Sequence, residues 1–339
     1  MSRELEEVAR SLVAPGKGIL AADESSGTIK KRFDSIGVES SETTRRDYRE
    51  MLFTTEGAAD YISGVILYDE TIRQKASDGT PLVEVLKRQG IVPGIKVDLG
   101  AKPLAKSPGE LVTEGLDGLR ERLVEYRDLG ARFAKWRAVI TIDGDELPTD
   151  YCLEVNAHAL ARYAALCQEQ EIVPIVEPEV LMDGNHTLER CYQVTCDTLH
   201  AVFDELYEQR VELEGMLLKP NMVIPGKADG KASPDEIADA TIRCFKTVVP
   251  AAVPGIVFLS GGQGDEEATA NLDAMNKRGP LPWQLSFSYG RALQAPSLKA
   301  WKGDKVNFDA GQRAFLHRAR LNGAARSGSY SPDMERGAA

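Results

Sequence analysis

Eight short apolar runs rich in β-formers, most of them followed by a stretch that reads as helix, predict an α/β fold. The expectation is a single (β/α)8 TIM barrel with a short N-terminal helix and a mobile C-terminal tail. Strands alternating with helices imply parallel pairing through right-handed crossovers, and eight such units favour a closed barrel over an open doubly wound sheet. No linker divides the 339 residues, so one barrel domain is expected over 1–322 and a flexible tail over 323–339.

The opening MSRELEEVARSLVAPG has an amphipathic helical pattern with both charge signs. It has neither the apolar core of a signal peptide nor the acid-poor make-up of a transit peptide. Strands are expected at 18–22, 62–68, 92–97, 133–140, 173–176, 216–218, 256–259 and 285–287. Helices are expected at 117–129, 151–169, 188–209 and 234–247, with short polar loops such as GDELPTD and GKADGKAS between elements. From Gly323 onward the sequence is small, polar and unpatterned.

A formal net charge of -11 argues against a general nucleic-acid binder, but a local basic cleft can still take an anionic small molecule. No stretch reaches the roughly 20 apolar residues of a membrane helix. Five cysteines without a C-x-x-C pair suit reduced thiols in a cytoplasm. The sequon at Asn185 is then a chance match.

In barrels the C-terminal rim carries the chemistry, so the residues closing each strand matter most. They include Asp23-Glu24-Ser25, Lys96 with Asp98, Lys135-Trp136-Arg137, Glu177-Pro178-Glu179 and Lys219-Pro220-Asn221. Three lysines and several carboxylates at one mouth point to an anionic ligand or to catalysis; interior ion pairing is the plainer alternative. Lys219 closes the apolar run Met216-Leu217-Leu218, where desolvation favours a neutral amine able to attack a carbonyl. Lys135 is expected close enough to lower the Lys219 pKa by like-charge repulsion. Glu177, apolar on its N-terminal side, fits an acid and base for carbinolamine dehydration. Asp23 fits either an orienting role toward Lys219 or contact with substrate hydroxyls.

Phosphate signals follow strands seven and eight. In LSGGQ, Gly261 and Gly262 allow close backbone approach, and in SYGRA, Arg291 offers a bidentate fork. A second basic group is Lys30-Lys31-Arg32, of which Arg32 is the preferred phosphate ligand; two such sites would suit a substrate phosphorylated at both ends. Other patterns carry no function. GKGILA imitates a dinucleotide fingerprint but precedes a strand, and the four histidines lack metal-site spacing. Asp265-Glu266-Glu267 reads as a helix start.

GILAADESSGTIKKR, GVILYDET, GIKVD, RFAKWRAV, VPIVEPE, EGMLLKPNM, FLSGGQ and SFSYGRALQ together resemble the class I fructose-bisphosphate aldolases, in the family's own order, over 16–303. The resemblance implies a metal-independent, usually tetrameric barrel without a cofactor. Its reaction is the reversible cleavage of fructose 1,6-bisphosphate to dihydroxyacetone phosphate and glyceraldehyde 3-phosphate, in glycolysis and gluconeogenesis. It further implies that Lys219 is the Schiff-base lysine, Glu177 the acid/base, and Asp23 and Lys135 partners in the reacting cluster. Arg137, Lys96 and Glu179 become supporting residues. Ser260, Gly261, Gly262, Ser288, Gly290 and Arg291 match one phosphate site, and Ser25, Thr28 and Arg32 match the other end, with Arg45 a weaker match.

The motifs do not separate fructose 1,6-bisphosphate from another sugar bisphosphate such as sedoheptulose 1,7-bisphosphate. Two departures stand out. Many animal and plant members end in a tyrosine that assists enamine protonation, whereas here Tyr330 is the last tyrosine, so slower proton exchange or another group is expected. Leu99 replaces a lysine common in the family, which alters charge near the mouth.

Overall fold

The computed structural model describes residues 3–337, so the outermost residues of the expected N-terminal helix (Met1 and Ser2) and of the tail (Ala338 and Ala339) lie outside the described residues. Eight parallel strands close into a barrel in sequence order: β1 (Gly18–Ala21), β2 (Ile62–Leu67), β3 (Val92–Lys96), β4 (Phe133–Ile140), β5 (Val173–Val180), β6 (Leu217–Leu218), β7 (Gly255–Phe258) and β8 (Gln284–Tyr289). β8 pairs with β1, Ile19 opposite Ser288, and that pairing completes the ring.

Helices on the outside shield the strands. They are α1 (Arg3–Leu12), α2 (Ser26–Asp34), α3 (Glu42–Phe53), α4 (Asp69–Arg73), α5 (Leu82–Arg88), α6 (Leu119–Asp128), α7 (Asp150–Glu169), α8 (Leu188–Glu208), α9 (Pro234–Val248), α10 (Asp265–Asn276), α11 (Arg291–Trp301) and α12 (Phe308–Arg326). Their starts follow local chemistry: Ser25, Thr149, Thr187 and Ser233 cap α2, α7, α8 and α9, and Ser233 with Glu236 forms a full capping box.

Side-chain alternation explains how the interior is layered. Ile19, Ala21, Phe133, Val173, Ile175, Leu217 and Val257 form one buried cluster with Leu5, Ala9 and Leu12 of α1, so the N-terminal helix plugs the bottom of the barrel. Two residues on from that layer, the same inward positions become Asp23, Lys135, Glu177 and Lys219. The period of two therefore turns an apolar floor directly into a charged one.

Glycines make room in the floor. A Cβ on Gly94 would meet the Phe133 ring at 2.3 Å, and one on Gly64 would meet Leu12 Cδ2 at 2.6 Å. Phe133 is fully buried and cannot swing away. Gly94→Ala is expected to cost about 1–3 kcal/mol through overpacking, read as a lower urea midpoint at unchanged m-value.

Two expectations need correction, and one element was not foreseen. β5 runs to Val180, four residues beyond its apolar run, because Glu177 and Glu179 point into a polar interior rather than out of the sheet. An antiparallel ribbon of Ala101–Pro103 with Leu111–Thr113 was not anticipated; it stands over the β3–β4 side of the mouth. The expected domain boundary at 322 falls inside α12, because Gly323 serves close packing rather than chain breaking: a Cβ there would lie 2.8 Å from both Gly16 O and Tyr61 Cδ1. Beyond α12, Tyr330 is buried, donates to Glu335 Oε1 at 2.9 Å, and Arg318 pairs with Glu335 at 2.6 Å.

Candidate active site

At the C-terminal end of the strands lies a cavity of about 900 Å3. Its floor is an alternating chain of buried charges. Lys219 Nζ meets Glu177 Oε1 at 3.2 Å, and the other oxygen of Glu177 lies 3.4 Å from Lys135 Nζ. Lys135 also pairs with Asp23 Oδ2 at 2.7 Å and Asp98 Oδ2 at 4.0 Å, and Asp98 Oδ1 takes Lys96 at 2.6 Å. Lys135, Glu177 and Lys219 are each 4 % exposed or less. Neighbouring strands supply them: Lys135 stands opposite Ile175, and Lys219 donates its amide to Val176 O at 2.8 Å.

Electrostatics separate the two central lysines. Burial alone would lower the Lys135 pKa, but Asp23, Glu177 and Asp98 outweigh it and push the amine well above the usual lysine value. Lys135 is thus a fixed ammonium. Among the described residues, one carboxylate, Glu177, is ion-paired with Lys219, against three for Lys135.

Asp23 shows the converse. Burial opposes its charge, yet Lys135 and Lys219 hold its pKa well below the ordinary carboxylate value. A depressed folded pKa contributes stability above the unfolded value of 3.8, and that stability is lost as pH falls from there toward the folded value. Asp23→Asn is expected to be about 3 kcal/mol less stable at neutral pH, with the gap narrowing below about pH 4 in urea unfolding at stepped pH.

The expected phosphate ligands mostly line this cavity: Ser25, Thr28, Arg32, Ser260, Gly261, Ser288, Gly290 and Arg291, together with Lys96, Arg137 and Glu179. Ser288 Oγ is buried without a hydrogen-bond partner, a donor left free at the cavity wall. Arg291 donates to Gly261 O at 2.9 Å and Gln263 O at 2.8 Å, bracing the Ser260–Gly262 turn. Arg137 pairs with Glu179. Lys30 forms an exposed pair with Asp34, as a solvated helix face should.

Other placements differ from the sequence picture. Arg32 lies beside the β8 turn: a Cβ on Gly290 would be 3.7 Å from its Nη2, since β8 and β1 are neighbours in a closed ring. Gly262 is not part of the cavity wall; its missing Cβ faces Met182 Sδ and Lys227. Arg45 is also outside, drawn away by a bidentate pair with Glu70 at 2.8 and 2.6 Å. Tyr330 does not line the cavity either. Leu99 does, and is 62 % exposed at the mouth.

Sequence reasoning missed three supports. Glu24 is buried between Arg32 and Arg49 and accepts from Gln294 at 2.8 Å; its place beside Asp23 was the available signal, whereas Gln294 lies 270 residues away. Asp98 was seen as a strand end, but not as the link between Lys96 and Lys135. Arg122 of α6 donates to Val97 O and Gly115 O at the cavity's outer wall, and nothing in its helix pattern marks it. Among the described residues no group of histidine, cysteine and carboxylate side chains could hold a metal ion.

Comparison with known proteins agrees with this geometry. The family described as fructose-bisphosphate aldolase class-I matches residues 4–339. A probable fructose-bisphosphate aldolase class 1 of Xanthomonas axonopodis pv. citri (strain 306) is 60 % identical over 96 % of this chain and 98 % of its own. Fructose-bisphosphate aldolase 1 of Toxoplasma gondii is 56 % identical, over 97 % and 92 %. A solved structure of the Plasmodium falciparum fructose-bisphosphate aldolase superposes with a TM-score of 0.96 at 50 % identity, covering 97 % of this chain and 95 % of that one. A closed eight-stranded barrel, a buried lysine–carboxylate floor and these relatives converge: the chain belongs to the class I fructose-bisphosphate aldolases.

Proposed function

We propose that Lys219 carries the Schiff base of the family's reaction, the reversible cleavage of fructose 1,6-bisphosphate to dihydroxyacetone phosphate and glyceraldehyde 3-phosphate. The observation behind this choice is the unequal pairing of the two floor lysines. Lys135 is clamped by three carboxylates as a permanent cation, and a protonated amine cannot attack a ketone. Lys219 shares one carboxylate, Glu177, which stands ready to move protons to and from it.

In the cleavage direction, the Lys219 amine adds to the C2 ketone and the carbinolamine loses water, its hydroxyl protonated by Glu177. The resulting iminium is the electron sink. A carboxylate, Glu177 or Asp23, takes the C4 hydroxyl proton, the C3–C4 bond breaks, and its electron pair moves onto the iminium to give an enamine. Glyceraldehyde 3-phosphate leaves. Protonation at C3 and hydrolysis then free dihydroxyacetone phosphate and the amine. Lys135 holds negative charge in place throughout; Asp98, itself paired with Lys96, braces it, and the Arg137–Glu179 pair lines the cavity nearby.

For the phosphates, the free Ser288 hydroxyl, the Ser260–Gly261 turn and Arg291 support one subsite, with Ser25, Thr28 and Arg32 adjoining. Free thiols and relatives named cytosolic, such as fructose-bisphosphate aldolase 6, cytosolic, of Arabidopsis thaliana at 54 % identity, support a cytoplasmic setting. Likeness to the family supports a homotetramer. The decisive test is borohydride reduction with dihydroxyacetone phosphate followed by peptide mapping. Label is expected on Lys219; label on Lys135 would overturn the assignment.

A further inference from the structure

Away from the cavity, two of the five free cysteines face each other across the outer helices. Cys196 of α8 and Cys244 of α9 bring their sulfurs to 2.9 Å, sharing a hydrogen bond. That leaves less than an ångström to close to a disulfide bond of about 2.05 Å. Cys196 is 8 % exposed and Cys244 fully buried, so a small reagent reaches Cys196 first.

The surroundings of Cys196 favour a reactive sulfur. Arg243 stacks its guanidinium 4.0 Å over the Tyr192 ring, one helical turn before Cys196, and places a cation at that edge. The hydrogen bond shared with Cys244 holds the Cys196 thiol below its ordinary pKa against the effect of burial, with Tyr192 and Arg243 assisting and Asp197 opposing. The same contact, together with burial, pushes Cys244 up.

We propose that Cys196 and Cys244 form an oxidation site at which a hydroperoxide converts the dithiol to a disulfide joining α8 to α9. The Cys196 sulfur attacks the peroxide, the O–O bond breaks, and Cys196 sulfenic acid and an alcohol (water, for hydrogen peroxide) form. Cys244 then attacks the sulfenic sulfur, giving the disulfide and water. Two thiols lose two electrons and the peroxide gains them. Dithiol reductants reverse the bond by exchange.

The bond would form beside the segment that carries Lys219. Asn221 donates to Thr195 of α8 at 3.1 Å, and Val223 donates its amide to Thr241 of α9 at 2.9 Å. Cys196 follows Thr195 directly and Cys244 lies one turn beyond Thr241.

The test treats the full chain with hydrogen peroxide, alkylates remaining thiols and maps peptides without reduction. A peptide linking Cys196 to Cys244, lighter by two hydrogens and separated by dithiothreitol, is expected. Dimedone adduct should accumulate on Cys196 in Cys244→Ser and stay low there in the native chain. Alkylatable thiols at both positions after other cysteines have oxidised would overturn the proposal, and so would equal dimedone adduct in both proteins. The linked peptide is read on the native chain, so the proposal remains testable if the variant fails to fold.

Discussion

Lys219→Met is expected to lose turnover by roughly 100,000-fold or more and to give no borohydride-trapped adduct, because a thioether cannot form an iminium. Methionine keeps much of the volume and leaves Glu177 paired with Lys135, so the barrel should survive. Far-ultraviolet circular dichroism and an unchanged unfolding cooperativity check that. Retained trapping at another lysine, or turnover within tenfold of the native chain, would remove Lys219 from the mechanism.

Glu177→Gln is expected to lower kcat by roughly 100- to 10,000-fold, the span of lost general acid–base catalysis. The amide preserves shape and can still accept from one lysine. It can neither give a proton to the carbinolamine hydroxyl nor take one from the C4 hydroxyl. Trapping should persist at a slower rate, since amine addition and dehydration continue without their proton carrier. Single-turnover quench experiments separate the two effects, and an unaltered kcat would assign proton transfer to Asp23 instead. The two variants thus differ in kind: the lysine variant ends covalent chemistry, while the carboxylate variant slows it.

How much of this was readable in the sequence depends on range. Barrel closure was legible in the eight alternating units, and the ends of β1 and β6 in the charged residue, Asp23 or Lys219, that follows each apolar run, a local signal. The charged floor followed, since Asp23, Lys135, Glu177 and Lys219 all sit two residues past an inward apolar one. What failed depended on contacts distant in sequence. Nothing near Arg45 announces that Glu70 will draw it out of the cavity, and nothing near Glu24 announces Arg49 and Gln294. The extent of β5 was missed because Glu177-Pro178-Glu179 reads as the close of an apolar run, whereas a charged interior lets the strand continue through it. Gly323 misled for a related reason: a residue that permits close packing reads in one dimension as a break.

The plug formed by α1 carries a consequence for traffic. With the far end stoppered, the described residues leave substrate and both products one doorway, and on the assignment proposed above the half bonded to Lys219 sits deepest. The aldehyde must therefore clear the well before its sister fragment can depart, and a crowded entrance delays both.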